Sequence, residues 1–359
     1  MLQSFLKFHF LIFIFIFLTV LNSCNFKPDP QPLPLSVSST LNLLQENPQF
    51  VMYLNFKSMR RTEFWKKNIS DSLLNAEKTF GSLLHTFKLA TGASISDGLD
   101  ELYYSNSWFG ENAIVMKGIL DFNKLTEFIS RDTLFLEVKN INGTKIYLKS
   151  DNGLYFYFRD NHTVCASNYL KQIDAMIATS DTSRSGILQN DKLFSAINNI
   201  IYKENLWMIS TEKFFIKGIF QNFVKFTSGQ SFEETDTSDS DEGDVSNDSL
   251  DSNEKLTIDN LYKRFNSISF SSEMSEDLKF LIQSECLNDE SSKYLRSILS
   301  GFFSVTRLRS TGNRDKNSLK ILDKLKLDRY DNSVFIELSV DESNINELRK
   351  IDLLSEPEE

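Results

Sequence analysis

The sequence predicts an α+β protein, an antiparallel sheet with helices packed on one face. Three observations carry that expectation. Short runs rich in β-branched and aromatic residues recur along the chain, several of them separated by tight-turn residues. Longer stretches place Leu, Phe and Ala at helical spacing. The two kinds of segment are mixed along the chain, the order expected of α+β architecture. Of the 359 residues 41% are hydrophobic and 31 are Phe, ample material for a buried core.

Taken in order, residues 38–45 read as a short amphipathic helix stopped by Pro48, and Gln49 to Phe56 as a strand. Ser70 is placed to cap a helix over 71–90, with Leu73, Ala76, Phe80, Leu83, Leu84 and Phe87 on one face and Gly92 ending it. Side chains of that kind at that spacing are core packing far more often than a ligand groove. Ala113 to Leu120 is a second strand, and Asp121 caps a helix over 122–130. A meander follows over 133–138, 145–149, 154–159 and 163–166, punctuated by Asn142-Gly143, Asp151-Asn152-Gly153 and Asp160-Asn161. Ser167 then caps a helix reaching Ala178.

A second round of elements starts near Asn198. Strand 204–210 leads into a Phe-rich helix at 212–226, and paired strands follow at 265–272 and 278–285. Helices are expected at 291–308 and 316–325, then a strand at 333–340 and an Asp341-capped helix to Ile351. Strand–helix pairs at 49–90 and 204–226 open each half, and the strand–Asp–helix segment 113–130 parallels 333–350. Such units also recur by chance, so duplication of two related halves stays open.

The net charge of −10 is local. Ten acidic residues and no basic one fall between Glu233 and Glu254, and they account for the whole imbalance. Residues 229–256 therefore read as an acidic disordered linker, and the remainder lacks the clustered positive charge that nucleic acid would require.

The N-terminal stretch fixes an address. Lys7 precedes a nearly unbroken apolar run from Phe8 to Leu21, too short for a standard span, and Leu21-Asn22-Ser23-Cys24 closes it. This ending resembles the lipobox of bacterial lipoproteins, which implies cleavage after residue 23 and lipidation of Cys24. Residues 24–36 carry four prolines and read as an extended tether. With strands at 50–56 and repeated strand–Asp–helix segments at 115–128 and 335–348, the layout resembles large uncharacterised lipoprotein families of Gram-negative bacteria. That resemblance implies anchoring in the cell envelope, with the outer membrane favoured and the body in the periplasm or on the surface. It brings no catalytic residues. The expected organisation is a signal peptide at 1–23, the tether, a first α+β domain or half at 37–228, the linker, a second half at 257–354, and an acidic tail at 355–359.

Motifs for chemistry are sparse. His85 and His162, the histidines outside the signal, have no Cys, Asp or Glu at metal-ligand spacing, and no metal or cofactor is expected. Gly-x-Ser-x-Gly, Walker A and Gly-x-Gly-x-x-Gly are absent. Cys165 and Cys286 stand far apart without framework spacing, which favours two buried thiols over a disulfide. Asp239, Asp241 and Asp244 fall short of a calcium loop, with Gly243 and Leu250 where oxygen ligands belong. The best candidate ligand site is the acidic and aromatic stretch containing Asp100, Tyr103, Tyr104 and Trp108, against the plainer reading of a helix cap followed by core aromatics. The expected function is a non-enzymatic envelope protein, held to the membrane through Cys24, that binds a ligand or another envelope protein. The alternative is an envelope hydrolase acting on glycan or peptide, with carboxylates among Asp97, Asp100 and Glu101.

Overall fold

The computed structural model describes residues 27–69, 82–131, 135–141, 143–180, 184–228, 257, 260–312 and 324–348. The lipobox with Cys24, the Ser70 cap with most of the helix it begins, the acidic linker, nearly all of the helix expected at 316–325 and the acidic tail lie outside them.

Twelve strands among these residues form one sheet in which every pairing is antiparallel. They are β1 (Phe50–Asn55), β2 (Leu99–Asn106), β3 (Asn112–Gly118), β4 (Phe135–Ile141), β5 (Thr144–Lys149) and β6 (Leu154–Asp160). The others are β7 (Thr163–Ser167), β8 (Leu206–Ser210), β9 (Phe265–Met274), β10 (Leu278–Cys286), β11 (Lys326–Tyr330) and β12 (Ser333–Val340). Their order across the sheet is β11-β12-β10-β9-β8-β1-β2-β3-β7-β6-β5-β4. The α+β class with an antiparallel sheet is thus what the element order predicts.

Among the described residues ten helices accompany the sheet: α1 (Leu35–Leu41), α2 (Phe56–Arg61), α3 (Glu63–Asn68), α4 (Ser82–Thr91) and α5 (Phe122–Arg131) precede α6 (Leu170–Ala178), α7 (Asp191–Asn198), α8 (Lys213–Ser228), α9 (Asp289–Gly312) and α10 (Glu342–Leu348). Asp121 starts α5 as the sequence suggests, whereas α6 has Tyr169 at its N-cap and no side-chain cap, Ser167 bonding only in the turn before it. Asp121 Oδ1 accepts from the amides of Asn123 and Lys124, both at 3.1 Å, and Ser167 Oγ accepts from Tyr169 N at 3.0 Å. Helix α4 ends at Gly92, whose φ of +78° suits the left-handed turn beyond a helix. Elements absent from the sequence expectation are α2, α3, α7, β2 and β11.

The connections repeat about the centre. From the middle outward one half runs β1-β2-β3-β7-β6 and the other β8-β9-β10-β12-β11, with helices after the first, third and fourth strand of each series. The first half adds the β4–β5 hairpin at its edge. Segments 49–90 and 204–226 occupy equivalent places in this scheme. Segments 113–130 and 333–350 do not, because β3 corresponds to β10 while β12 corresponds to β7; a strand–Asp–helix junction is a local capping solution that says nothing about position in the sheet.

Helices cover the two halves differently. In the first half, α1, α6 and α7 bury Leu41, Ile173 and Leu193 against Val51, Tyr53 and Val115, while α2 and α4 bury Met59 and Phe87 against Leu54, Leu102 and Met116 on the opposite face. In the second half the one-sided cover holds: α8 and α9 pack Ile216, Leu295 and Leu299 on the face carrying Val334 and Ile336. The other face there bears Ser267, Ser269, Ser271, Gln283 and Glu285 together with Leu281 and Phe335, which are buried against Ile201.

That largely polar face is crossed by the Pro-rich segment. It is extended, as its prolines dictate, but from Lys27 onward it is hydrogen-bonded to the body and does not act as a free spacer. Gln31 N donates to Ile201 O at 3.0 Å, and Gln31 Oε1 accepts from Lys203 N at 2.6 Å. The buried Lys203 ammonium donates to the carbonyls of Gln31, Asn198 and Ile200. Lys27 Nζ donates to Glu285 Oε1 at 3.0 Å and Ser333 Oγ at 2.7 Å. Sequence composition gives no sign of this docking, because it depends on acceptors more than 150 residues away.

Trp207 on β8 sits between the halves, fully buried against Tyr53 with ring centroids 5.6 Å apart. We expect Trp207→Ala to cost about 3–5 kcal/mol and denaturant unfolding of the whole sheet to shift as one transition; separate transitions for the two halves would refute that coupling. Burial works against ionisation of Glu285, but hydrogen bonds from Ser333, Gln283 and Lys27 outweigh it and hold its pKa below the ordinary carboxylate value. A depressed folded-state pKa gives stability that is present above the unfolded pKa, about 4.3, and fades as pH falls through the folded one. The stability gap between wild type and Glu285→Gln should therefore narrow below about pH 4.3 in pH-resolved denaturation; a gap that is constant with pH would contradict it.

Candidate functional site

An apolar concavity lies under α4 and α5. Helix α5 is narrowly amphipathic: Leu125 is buried, Phe128 and Ile129 are half-buried, and Asn123, Lys124, Thr126 and Glu127 face solvent. Asp121 fixes its start directly after β3, so the stripe is delivered over β7 and β6. Helix α4 brings Phe87 and Ala90 alongside. The sheet supplies Met116, Phe156, Val164 and Ala166, all on the α4 side. Together they bound a narrow cleft of about 60 Å³, partly open to solvent.

Aromatic rings form one wall. Phe135 meets Phe128 at 5.5 Å and Phe156 edge-on at 5.7 Å, and Tyr147 stacks on Phe156 at 5.4 Å. Polar groups appear at the margin and are already occupied. Thr91 Oγ1 donates to Phe87 O at 2.7 Å, Lys149 pairs with Asp151, and Asn152 Oδ1 accepts from Leu154 N at 3.2 Å. What this cleft offers a ligand is burial of apolar surface, with a cation and an amide at one end. A larger and more polar groove, of about 440 Å³, lies between α6 and residues 42–46 and 185–189.

The residues singled out in the sequence are dispersed. Asp100 is held by Arg60 at 2.7 Å and Lys57 at 3.2 Å, beside α2. Tyr103 is fully buried on the opposite face, against Tyr53 at 4.8 Å. Tyr104 returns to the α2 side and meets Phe50 at 5.7 Å. Trp108 sits beyond the end of β2, half exposed. The four do not converge, because alternate residues of a strand face opposite ways. The same rule separates the carboxylates: Asp100 turns toward α2, whereas Glu101 accepts from Tyr103 Oη at 2.8 Å and Tyr53 Oη at 3.4 Å on the other face. Two carboxyls so placed do not flank one scissile bond. Burial, reinforced by the Glu101 charge, raises both phenol pKa values well above the ordinary one.

His162 approaches the Gly118 carbonyl through Nδ1 at 3.1 Å, a structural contact. Among the described residues no group of three His, Cys, Asp or Glu side chains is placed to hold a metal. Cys165 and Cys286 are unpaired and buried, and burial pushes their thiols up to about 11 and about 12. The cleft itself was not legible as a site, since each contributing stretch carries an ordinary core pattern.

No protein-family model matches the chain, and no curated protein matches it. Solved structures of TP0453 do. Its crystal form III is 9% identical with a TM-score of 0.46, over 86% of this chain and 96% of that one. Form I is 8% identical with a TM-score of 0.45, over 86% and 94%, and form IV is 9% identical with a TM-score of 0.43, over 90% and 96%. Likeness at this level carries no argument about function.

Proposed function

We propose that this chain is a lipid-anchored cell-envelope protein whose body is a non-catalytic binding module for an apolar or single-chain amphiphilic ligand. The observation that carries the ligand class is the cleft beneath α4 and α5, lined by Phe, Leu, Ile, Met, Val and Ala side chains with Lys149 and Asn152 at one end. An apolar body buried there gains from removal of its surface from water, at roughly 25 cal/mol per Å², and a polar head can meet Lys149 and Asn152. The anchor rests on the apolar run ending in Leu21-Asn22-Ser23-Cys24, and two acyl chains give stable membrane attachment. Envelope localisation follows from the same residues, with the outer membrane favoured. Binding of another envelope protein is compatible with this reading.

Two measurements test it. Ala90 lines the cleft and is nearly buried, so Ala90→Phe fills space that the ligand would occupy. A fluorescent long-chain acyl probe should bind the wild-type protein and bind Ala90→Phe at least about tenfold more weakly, a loss of about 1.4 kcal/mol, while the unfolding midpoint confirms a folded variant. Equal affinity in the two would remove the cleft as the site. For the anchor, metabolic labelling with an alkyne fatty acid should mark the wild-type protein and leave Cys24→Ala unmarked; persistent labelling of the variant would refute lipidation at Cys24.

A further inference from the structure

Lys27 stands three residues after Cys24, and three extended residues reach at most about 10 Å. Its position is fixed by Glu285 and Ser333, a cross-strand pair at the end of β10 and the start of β12. The register carries this end of the sheet inward. Cys286 on β10 pairs with Phe265, the first residue of β9; Ser210 ends β8; and Phe50, the first residue of β1, pairs with Asn106, the last of β2. The β2–β3 turn at 107–111 therefore projects from the same end of the strands as Lys27, four strand spacings away, roughly 20 Å.

That turn carries the most exposed aromatic surface of the described residues. Phe109 is 92% exposed and Trp108 48%, and Phe214, at the start of α8, is 66% exposed and meets Trp108 edge-on at 6.0 Å. The turn is well tied. Gly110 N donates to Ser107 O at 3.1 Å, Ser107 N donates to Glu111 O at 2.7 Å, and Asn168 Nδ2 donates to Gly110 O at 2.8 Å. Behind it Phe215 stacks on Phe50 at 5.2 Å. Three large rings are thus held out from a braced end of the fold.

We propose that Trp108, Phe109 and Phe214 form a bilayer-contacting patch, seated in the interfacial region of the same membrane that holds the acyl chains of Cys24. This rests on the lipid-anchor reading given above. The membrane is the occupant because the short link from Cys24 to the docked Lys27 brings a bilayer to this end of the sheet whatever other partner exists. Aromatic side chains, Trp above all, are suited to the headgroup boundary. An anchor at one point leaves the body free to tilt, and a second contact about 20 Å away sets its orientation. Lys149, at the end of β5, and Leu154, at the start of β6, lie at this same end of their strands and line the apolar cleft.

The three tryptophans report on this directly, since Trp65 in α3 lies toward the opposite end of the sheet, where Phe64 N bonds Ser275 O beyond β9, and Trp207 is buried in the middle. Full-length protein purified from membranes is reconstituted in phosphatidylcholine vesicles with and without brominated acyl chains, and the mass of its N-terminal peptide is read in parallel. Bromolipid should quench the wild-type emission, Trp108→Phe should lose most of that quenching, and Trp65→Phe should keep it. Quenching that is absent from the acylated wild type, or unchanged in Trp108→Phe, would overturn the patch. An N-terminal peptide without acyl groups would overturn the anchor itself, and mass spectrometry registers that failure separately from the fluorescence.

Discussion

The pairing of β1 with β8 is the constraint on which the rest depends. Each is the first strand of its half, and their antiparallel register sets Tyr53 against Trp207 and Val51 against Ile209. Tyr103, from β2, extends the same buried aromatic layer at 4.8 Å from Tyr53. Because β1 also pairs with β2 and β8 with β9, this one junction turns two sets of strands into a continuous sheet. A buried aromatic cluster supplies much of what holds such a junction, since rings of this size bury large apolar areas.

The two halves use that sheet differently. In the first, both faces are apolar and both are covered by helices. In the second, serines, Gln283 and Glu285 make one face largely polar, and the extended segment from Lys27 and the loop at 199–203 lie across it, Ile201 covering Leu281 and Phe335. A polar face needs partners more than it needs apolar cover, and the backbone of an extended chain supplies them. Gln31 and Lys203 show this: the amide side chain takes a backbone N–H, and the ammonium takes three carbonyls.

Among the described residues the β4–β5 hairpin has no counterpart in the second half, and α5, strongly amphipathic, stands where the second half has α9. Phe135 and Phe156 come from strands separated by β5, and Leu125 from the helix above them, so the cleft exists only where the meander broadens the sheet. Its interior is apolar and its marginal polar groups are internally paired, a combination suited to holding an apolar molecule. The carboxylates that could have suggested hydrolysis are structural instead: Asp100 clasps α2 through Arg60, and Glu101 satisfies two buried tyrosines.

Local physics was legible in the sequence and long-range pairing was not. β-Branched and aromatic runs, alternation in β1 and β6, and turn residues identified β1, β3 to β10 and β12, and Asp121 marked the start of α5, because strand period, turns and capping depend on neighbours within a few residues. Strand β2 escaped because Leu99–Asn106 mixes acids with tyrosines, and those polar groups become acceptable only opposite Tyr53, Arg60 and Lys117. Helix α7 carried a readable signal, Asn190 as cap with Leu193 and Ile197 one turn apart, but it is only eight residues long. The cleft was invisible for a deeper reason: Phe87, Leu125 and Phe156 each look like core, and only the packing of α4 and α5 on the sheet leaves space between them. By itself the sequence determined the α+β class, every strand but β2 and β11, the Asp121 cap, and the lipobox resemblance. Tertiary structure decided the single sheet, the docking of the Pro-rich segment, and which apolar side chains face a cavity instead of each other.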